Sequence, residues 1–124
     1  MARSARQALG ARGEDLAVAE LRRQGMEVLE RNWRCRLGEI DVVATETVAG
    51  RTTVVFCEVK CRSGLGFGDP LEAITWAKLR RLRALAAEWM RAHEVSAADI
   101  RVDAIGVLLV RGREPTVRHV RDVG

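Results

Sequence analysis

Two runs of apolar and β-branched residues flank a short polar segment near the middle of the chain. The first run extends from Gly38 to Ala44 and the second from Thr53 to Arg62, while the segment from Glu46 to Arg51 contains a glycine at which the chain can reverse. This pattern predicts an antiparallel hairpin. The second run is apolar on both faces, which is typical of a central strand covered on both sides.

Charged residues interrupt the apolar pattern of this hairpin. If the turn is centred between Ala49 and Gly50, Asp41 lies opposite Glu58, and alternation along the strand puts Lys60 on the same face as Glu58. Solvent exposure is the ordinary explanation for such charges. Opposed carboxylates destabilise a sheet, however, and charge in a covered strand is costly. The pattern therefore favours a patch in which these carboxylates and the lysine meet a bound cation.

A helical pattern precedes the hairpin. Good helix formers from Gly13 to Gln24, with acids in the first turn and bases in the last, predict a helix that stops at Gly25. Glu14 heads the apolar stripe of this helix, so it is either an acid favoured by the helix dipole or part of a functional site. The segment from Met26 to Arg36 predicts an edge strand.

The second half of the chain shows a loop, a helix and two strands. The glycine-rich segment from Ser63 to Asp69 predicts a flexible loop, and Asp69 before a proline predicts the N-cap of a helix that runs to about His93. Ile100 to Leu109 predicts an apolar strand, and Thr116 to Val120 predicts a last edge strand. Strand, helix and strand in succession imply a right-handed parallel crossover.

Several other polar or reactive side chains receive structural interpretations. Asp103 is a charge within an apolar strand, and pairing with an arginine is its expected explanation. His93 and His119 have no partner motif, and no role is assigned to them. The cysteines are odd in number and lack zinc-site spacing, which favours buried free thiols over a metal or disulfide role; they are Cys35, Cys57 and Cys61.

Composition limits the class of protein. A chain of 124 residues predicts a single domain, 1–124, with a basic N-terminal segment, 1–8, that need not be ordered. No apolar run approaches the roughly 20 residues of a membrane span, and the N-terminus lacks the apolar region of a secretory signal. We therefore expect a cytoplasmic protein without a membrane partner. The net charge of +4 mildly favours a polyanionic partner.

Basic side chains on three segments are candidates for contacts with phosphates. A basic strand that carries an aromatic residue can lie along a nucleic-acid backbone, although a solvated face is the more common explanation. Lys78 interrupts the apolar stripe of its helix, so it either extends into solvent or points towards the carboxylates. The candidates are Arg31, Arg34, Arg62, Lys78, Arg80, Arg81 and Arg83.

The hairpin carboxylates provide oxygen ligands for a hard divalent ion. Mg²⁺, or Mn²⁺ in its place, suits Asp41 and Glu58 because Mg²⁺ keeps several waters and takes one or two carboxylates together with substrate phosphate oxygens. The carbonyl oxygen of Val59 is a further candidate ligand. A divalent ion lowers the pKa of water, and Lys60 can stabilise the charge that develops on phosphorus. This chemistry is phosphodiester hydrolysis.

The order of these residues resembles a known group of proteins. A helix glutamate, a strand aspartate and then Glu-x-Lys resemble the PD-(D/E)xK superfamily of restriction-endonuclease-like proteins, although Ile40 stands where that superfamily has its proline. Longer blocks, over about residues 9 to 110, resemble the YraN family of small bacterial proteins. These blocks are Gly13-Glu14, Arg31-Asn32-Trp33-Arg34-Cys35, Gly38-Glu39-Ile40-Asp41, Glu58-Val59-Lys60-Cys61-Arg62, Phe67-Gly68-Asp69-Pro70-Leu71-Glu72-Ala73, Lys78 and Arg101-Val102-Asp103.

The resemblance implies a three-layer α/β/α restriction-endonuclease-like fold with a mixed central sheet. It also implies catalytic roles for Asp41, Glu58 and Lys60, with Glu14 assisting. We therefore expect a Mg²⁺-dependent endonuclease that acts on DNA in preference to RNA, for example on branched or damaged DNA in repair or recombination, and a homodimer would suit cleavage of two strands. The alternatives are a non-catalytic nucleic-acid-binding module and an adaptor that docks through the loop residues Leu65 and Phe67.

Overall fold

The computed structural model describes residues 4–64, 66, 68–95 and 99–123. In these residues the chain forms a mixed α/β structure with a five-stranded sheet. The elements are α1 (Ala5–Arg23), β1 (Glu27–Cys35), β2 (Gly38–Val48), β3 (Arg51–Arg62), a 3-10 turn (Pro70–Ala73), α2 (Trp76–Ala92), β4 (Asp99–Leu108) and β5 (Thr116–Val120).

The sheet is open and mixed, with the strands in chain order from β1 to β5. β3 pairs with β4 in parallel, and every other neighbouring pair is antiparallel. Val48 pairs with Arg51 and Val42 with Cys57, which confirms the predicted turn and register. The turn residues Ala49 and Gly50 both have positive φ, as a two-residue hairpin turn of type I′ requires.

The two helices cover opposite faces of the sheet, because each has one apolar stripe to bury. α1 buries Ala17, Val18 and Leu21 in a core that includes alternate residues of the central strands. α2 buries Leu82, Leu85 and Trp89 in a second core that includes the intervening residues of the same strands, Phe56 among them. The predicted central, doubly covered position of β3 is therefore confirmed.

The first helix is longer than the sequence pattern predicts. It begins at Ala5, and Ser4 and Gln7 form a capping box. Its first turn therefore lies in the basic N-terminal segment, 1–8, for which the sequence pattern requires no ordered structure. Two glycines in its N-terminal half lower helix propensity and conceal this start. One of them has a packing function: a Cβ on Gly13 would lie 2.6 Å from the Cβ of Cys61, so only glycine lets α1 approach β3 so closely.

The second helix starts later than predicted. Asp69 caps only the 3-10 turn, and Thr75 caps α2 by accepting a hydrogen bond from the amide of Lys78. Packing explains the interruption, since Leu71 fills the space that a side chain on Gly106 would occupy; a Cβ there would be 2.9 Å from Leu71 Cγ. The turn is therefore held against β4 before α2 begins.

The expected arginine partner of Asp103 is confirmed. This fully buried carboxylate accepts hydrogen bonds from Arg101, from His119 Nε2 at 2.7 Å and from the amide of Asp122. Burial alone would raise the pKa of Asp103, but the hydrogen bonds from His119 and Arg101 lower it to about 2. The network fixes the C-terminal segment to β4.

The remaining expectations have mixed outcomes. The cysteines are free thiols, with Cys57 buried and the other two half-buried. His93 stacks on Trp89 with ring centroids 4.0 Å apart, so both histidines have structural partners. Leu65 and Phe67, the candidate docking residues, lie outside the described residues. No helix in the described ranges is long and apolar enough to cross a membrane.

Candidate active site

The regular alternation of side chains breaks where β1 and β2 carry the candidate site. Ile40 belongs to the core beneath α2, whereas Val42, two residues on, belongs to the core beneath α1. On β1, Asn32 has a φ of 54°, a left-handed conformation that asparagine tolerates. Paired residues on either side place Asn32 across from Asp41. Both strands therefore change face at this point.

Asp41 lies where the ladder between β2 and β3 has ended. The last pair of that ladder is Val42 with Cys57, and beyond it Asp41 Oδ2 accepts a 2.8 Å hydrogen bond from the amide of Val59. Burial raises the pKa of Asp41 to about 7, with a further increase from the charge of Glu58 and a partial offset from the Val59 hydrogen bond. The carboxylate thus occupies the gap between two separating strands.

Glu58 is half-buried on the α2 side of β3. It lines a depression of about 150 Å³ together with Gly38, Glu39, Lys78 and Arg81. Burial raises the pKa of Glu58, and the charges of Lys78 and Lys60 partly oppose that increase. Lys78 Nζ donates to the carbonyl oxygen of Ala73 at 3.0 Å, so this exposed lysine lies beside the carboxylate without pairing with it.

The two carboxylates do not line the one shared patch that the sequence pattern predicts. Asp41 lines an open cleft of about 1020 Å³ on the α1 side, whereas Glu58 lines the depression on the α2 side. The register is as predicted, but Asp41 turns towards the amide of Val59 because the strands separate there. Burial is the main cause of the raised pKa of Asp41, and the charge of Glu58 is close enough to be the second cause.

Glu14 reaches the same cleft as Asp41 from α1, as predicted. Its side chain is only 12% exposed, and Oε1 accepts hydrogen bonds from Arg31 Nε and Asn32 Nδ2, both at 2.9 Å. Arg31 also pairs with Asp15 at 2.6 Å. Glu14 and Arg31 therefore neutralise each other in this structure, and Glu14 is held in place at the side of the cleft.

The other predicted basic contacts separate into two groups. Arg34 pairs with Glu39 at 2.7 Å, so it is engaged like Arg31. The second group consists of exposed or half-exposed cations with no ion-pair partner in the described part of the chain: Arg62, Lys78, Arg80, Arg81 and Arg83, to which the catalytic candidate Lys60 is similar. Arg81 borders the Glu58 depression, while Lys60 and Arg62 line a groove beside α1.

The donor set fits some metals better than others. No group of three His, Cys, Asp or Glu side chains that could hold a metal occurs in the described ranges, which leaves no complete protein cage of the zinc type. Asp41 and Glu58, with the backbone at Val59, offer hard oxygen atoms from two carboxylates and a peptide group. Mg²⁺ requires no more, because water and substrate oxygens complete its coordination.

Sequence reasoning missed four arginines that line grooves beside the N-terminal half of α1. Arg6 and Arg12 lie on the helix itself, and Arg111 and Arg113 follow β4. Their only signal in the sequence is positive charge, and the separation of roughly 100 residues between the two pairs hides their proximity.

Comparison with known proteins identifies relatives over most of the chain. The model of the uncharacterised protein family UPF0102 matches residues 13–107. A UPF0102 protein of Mycolicibacterium smegmatis is 50% identical over 116 residues, covering 94% of this chain and 92% of that protein. One from Clavibacter michiganensis subsp. michiganensis is 52% identical over 115 residues, covering 93% and 94%. The names of these two relatives describe no activity.

Proposed function

The chain belongs to the uncharacterised protein family UPF0102, and we propose that it is a divalent-metal-dependent endonuclease that hydrolyses phosphodiester bonds in DNA. Mg²⁺ is the proposed metal, with Mn²⁺ able to replace it. We assign the fold to the restriction-endonuclease-like group, for which the sheet with one helix on each face is the structural support. The YraN-like resemblance agrees with the family found by comparison.

One observation carries this proposal. Asp41 and Glu58 are half-buried carboxylates on neighbouring strands, and no basic side chain in the described ranges forms an ion pair with either. Burial raises the pKa of both groups, and for Asp41 the charge of Glu58 adds to the increase. Two half-buried acids, one of which is further disfavoured in its ionised form by the charge of the other, are a costly arrangement unless a cation joins them.

The surrounding residues have separate roles in the proposed reaction. Asp41 and Glu58 would hold the metal, and the Val59 amide fixes the orientation of the Asp41 carboxylate. The metal, when bound, supplies a Lewis acid and lowers the pKa of the attacking water. Lys60 provides positive charge for the phosphate in its transition state. Glu14 and Arg31, held together at the cleft wall, place a donor and an acceptor near the substrate.

Calorimetric titration with Mg²⁺ and Mn²⁺, together with cleavage assays on linear, branched and single-stranded DNA, tests the proposal. Asp41→Asn and Glu58→Gln should lose metal binding and cleavage, while Lys60→Ala should keep metal binding and lose rate. Asp99→Asn and Glu27→Gln remove equivalent charges at exposed positions and should behave as the unmutated protein. Absence of both metal binding and cleavage in the unmutated protein would refute the proposal.

A non-catalytic DNA-binding module is the second candidate function. The observation that favours it is the separation of Asp41 and Glu58 into two depressions, together with the commitment of Glu14 to Arg31. A module of this kind would bind DNA without a divalent ion, and Asp41→Asn would strengthen that binding by removing negative charge. DNA binding with no heat of metal titration and no cleavage would select this alternative.

A further inference from the structure

A band of positive charge surrounds the N-terminal half of α1. One groove, of about 670 Å³, lies between α1 and the chain that follows β4, and Arg12, Arg111 and Arg113 line it. A second groove, of about 950 Å³, lies between α1 and the end of β3, and its basic residues are Arg6, Lys60 and Arg62. Among the residues that the structure describes, no carboxylate lines either groove.

These grooves and the cleft of Asp41 form one continuous track. The first and second grooves share Ala5, Leu9 and Ser63 in their walls. The second groove and the Asp41 cleft share Gly10, Val59 and Cys61. A linear ligand that follows α1 from the first groove therefore passes Lys60 and Arg62 and arrives at Asp41.

The six cations of this track have no ion-pair partner in the described part of the chain. By contrast, Arg31 and Arg34, which the sequence offered as phosphate contacts, already pair with Glu14, Asp15 and Glu39. Unpaired cations that line a groove attract a regularly charged polyanion, and their contacts with phosphates gain free energy through counterion release.

We propose that a DNA strand runs along the N-terminal half of α1, with its phosphates on Arg6, Arg12, Arg62, Arg111 and Arg113, and so enters the cleft of Asp41. This path rests on the proposed function for its end point and substrate. Because the contacts are to phosphates, the path is independent of base sequence. It differs from a path across α2, which would use Arg80 and Arg83.

Three double substitutions of equal charge separate these paths. Arg111→Gln with Arg113→Gln removes cations of the α1 track, and Arg80→Gln with Arg83→Gln removes cations of the α2 path. Arg22→Gln with Arg36→Gln is the matched control, since both residues are exposed, lie outside the track and have no ion-pair partner in the described ranges. Binding to a short fluorescein-labelled DNA is measured by anisotropy in EDTA, which prevents cleavage, over about 50 to 200 mM salt.

The α1-track variant should bind at least about tenfold more weakly at low salt, with a slope of log affinity against log salt that is smaller by about two. The α2 variant and the control should keep the slope of the unmutated protein. Loss of slope in the α2 variant alone would overturn the path and leave the endonuclease proposal standing.

The same experiments detect the reverse case, in which the proposed DNA path is correct and the endonuclease proposal fails. If the α1-track variant alone loses binding but the unmutated protein neither binds a divalent ion nor cleaves DNA, the path stands and the endonuclease proposal fails. If the unmutated protein binds no DNA, the path is wrong, whatever the metal titration shows. Circular dichroism of each variant establishes that a loss of binding is not a loss of folding.

Discussion

Replacing Asp41 by asparagine should stabilise the protein in the absence of metal. Asparagine keeps an oxygen that can accept the hydrogen bond from the Val59 amide, and it removes the charge that opposes Glu58. Burial, and then the charge of Glu58, raises the pKa of Asp41 from 3.8 to about 7. The folded state therefore holds a proton that the unfolded chain loses at lower pH, so the free energy of unfolding decreases as pH rises through this interval.

The magnitude follows from the two pKa values of Asp41. At about 1.4 kcal/mol for each pH unit, the raised pKa of Asp41 lowers the free energy of unfolding by about 1.7 kcal/mol at about pH 5 and by about 4 kcal/mol at about pH 8. The advantage of Asp41→Asn should therefore grow by about 2.5 kcal/mol over that range. This corresponds to roughly 10 °C in Tm for a chain of this size.

The assay is urea unfolding in EDTA at several pH values, repeated with saturating Mg²⁺. The ion should stabilise the unmutated protein by about 2.7 kcal/mol at a hundredfold excess over its Kd and should stabilise Asp41→Asn far less, so at about pH 8 it should remove most of the stability advantage of Asp41→Asn. Asp99→Asn, at an exposed ion pair, controls for charge removal. A pH-independent difference between Asp41→Asn and the unmutated protein in EDTA would refute this account of the carboxylate pair.

Three further substitutions test the framework of the fold. Gly13→Ala should destabilise by about 1 to 3 kcal/mol in urea unfolding, because its Cβ would meet Cys61, and Cys61→Gly should restore part of the loss. Ala49→Gly should raise Tm, since its φ of 51° costs a residue with a Cβ about 1 kcal/mol; an unchanged or lower Tm would contradict this. Asp103→Asn should cost about 3 kcal/mol at neutral pH, because the half-buried Arg101 would keep its ion pair with Glu46 but lose the one with Asp103. This cost should shrink below about pH 4, because the hydrogen bonds that lower the pKa of Asp103 are lost as it protonates; equal costs at about pH 7 and pH 3 would count against it.

The strands were predictable from sequence because their signals are local. A glycine in a polar segment between two β-branched runs fixed the turn at Ala49 and Gly50, and the turn fixed the pairing of Val42 with Cys57. The parallel pairing of β3 with β4 followed from the intervening helix. In these elements, period-two alternation and turn chemistry agree with the tertiary structure.

The helix starts were not predictable, because tertiary packing overrides local preference there. Gly13 marks the predicted start of α1, yet it lies inside the helix, where its missing side chain lets α1 lie against Cys61. The start of α2 depends on the 3-10 turn, whose Leu71 packs on Gly106, a residue far along the chain. Helix propensity describes an isolated segment, so it takes no account of the contact between Gly13 and Cys61 or of that between Leu71 and Gly106.

The site was predictable in its residues more than in its geometry. The opposition of Asp41 and Glu58 follows from the register, but their different sides do not, because the change of face at Asn32 and Asp41 breaks the alternation. The pairing of Arg31 with Glu14 is likewise a tertiary contact between a strand and a helix. Neither has a signal in residue spacing.

The tight turn at Ala49 and Gly50 also determines when the carboxylates meet during folding. A hairpin closes in about 1 to 10 μs, whereas the parallel pairing of β3 with β4 must first close a long loop through α2 and is slower. Asp41 and Glu58 therefore come together before the sheet around them is complete. We expect the transition state for folding to contain this repulsive pair already. A divalent ion should then increase the refolding rate of the unmutated protein, whereas an ion that binds only the finished site would slow unfolding alone.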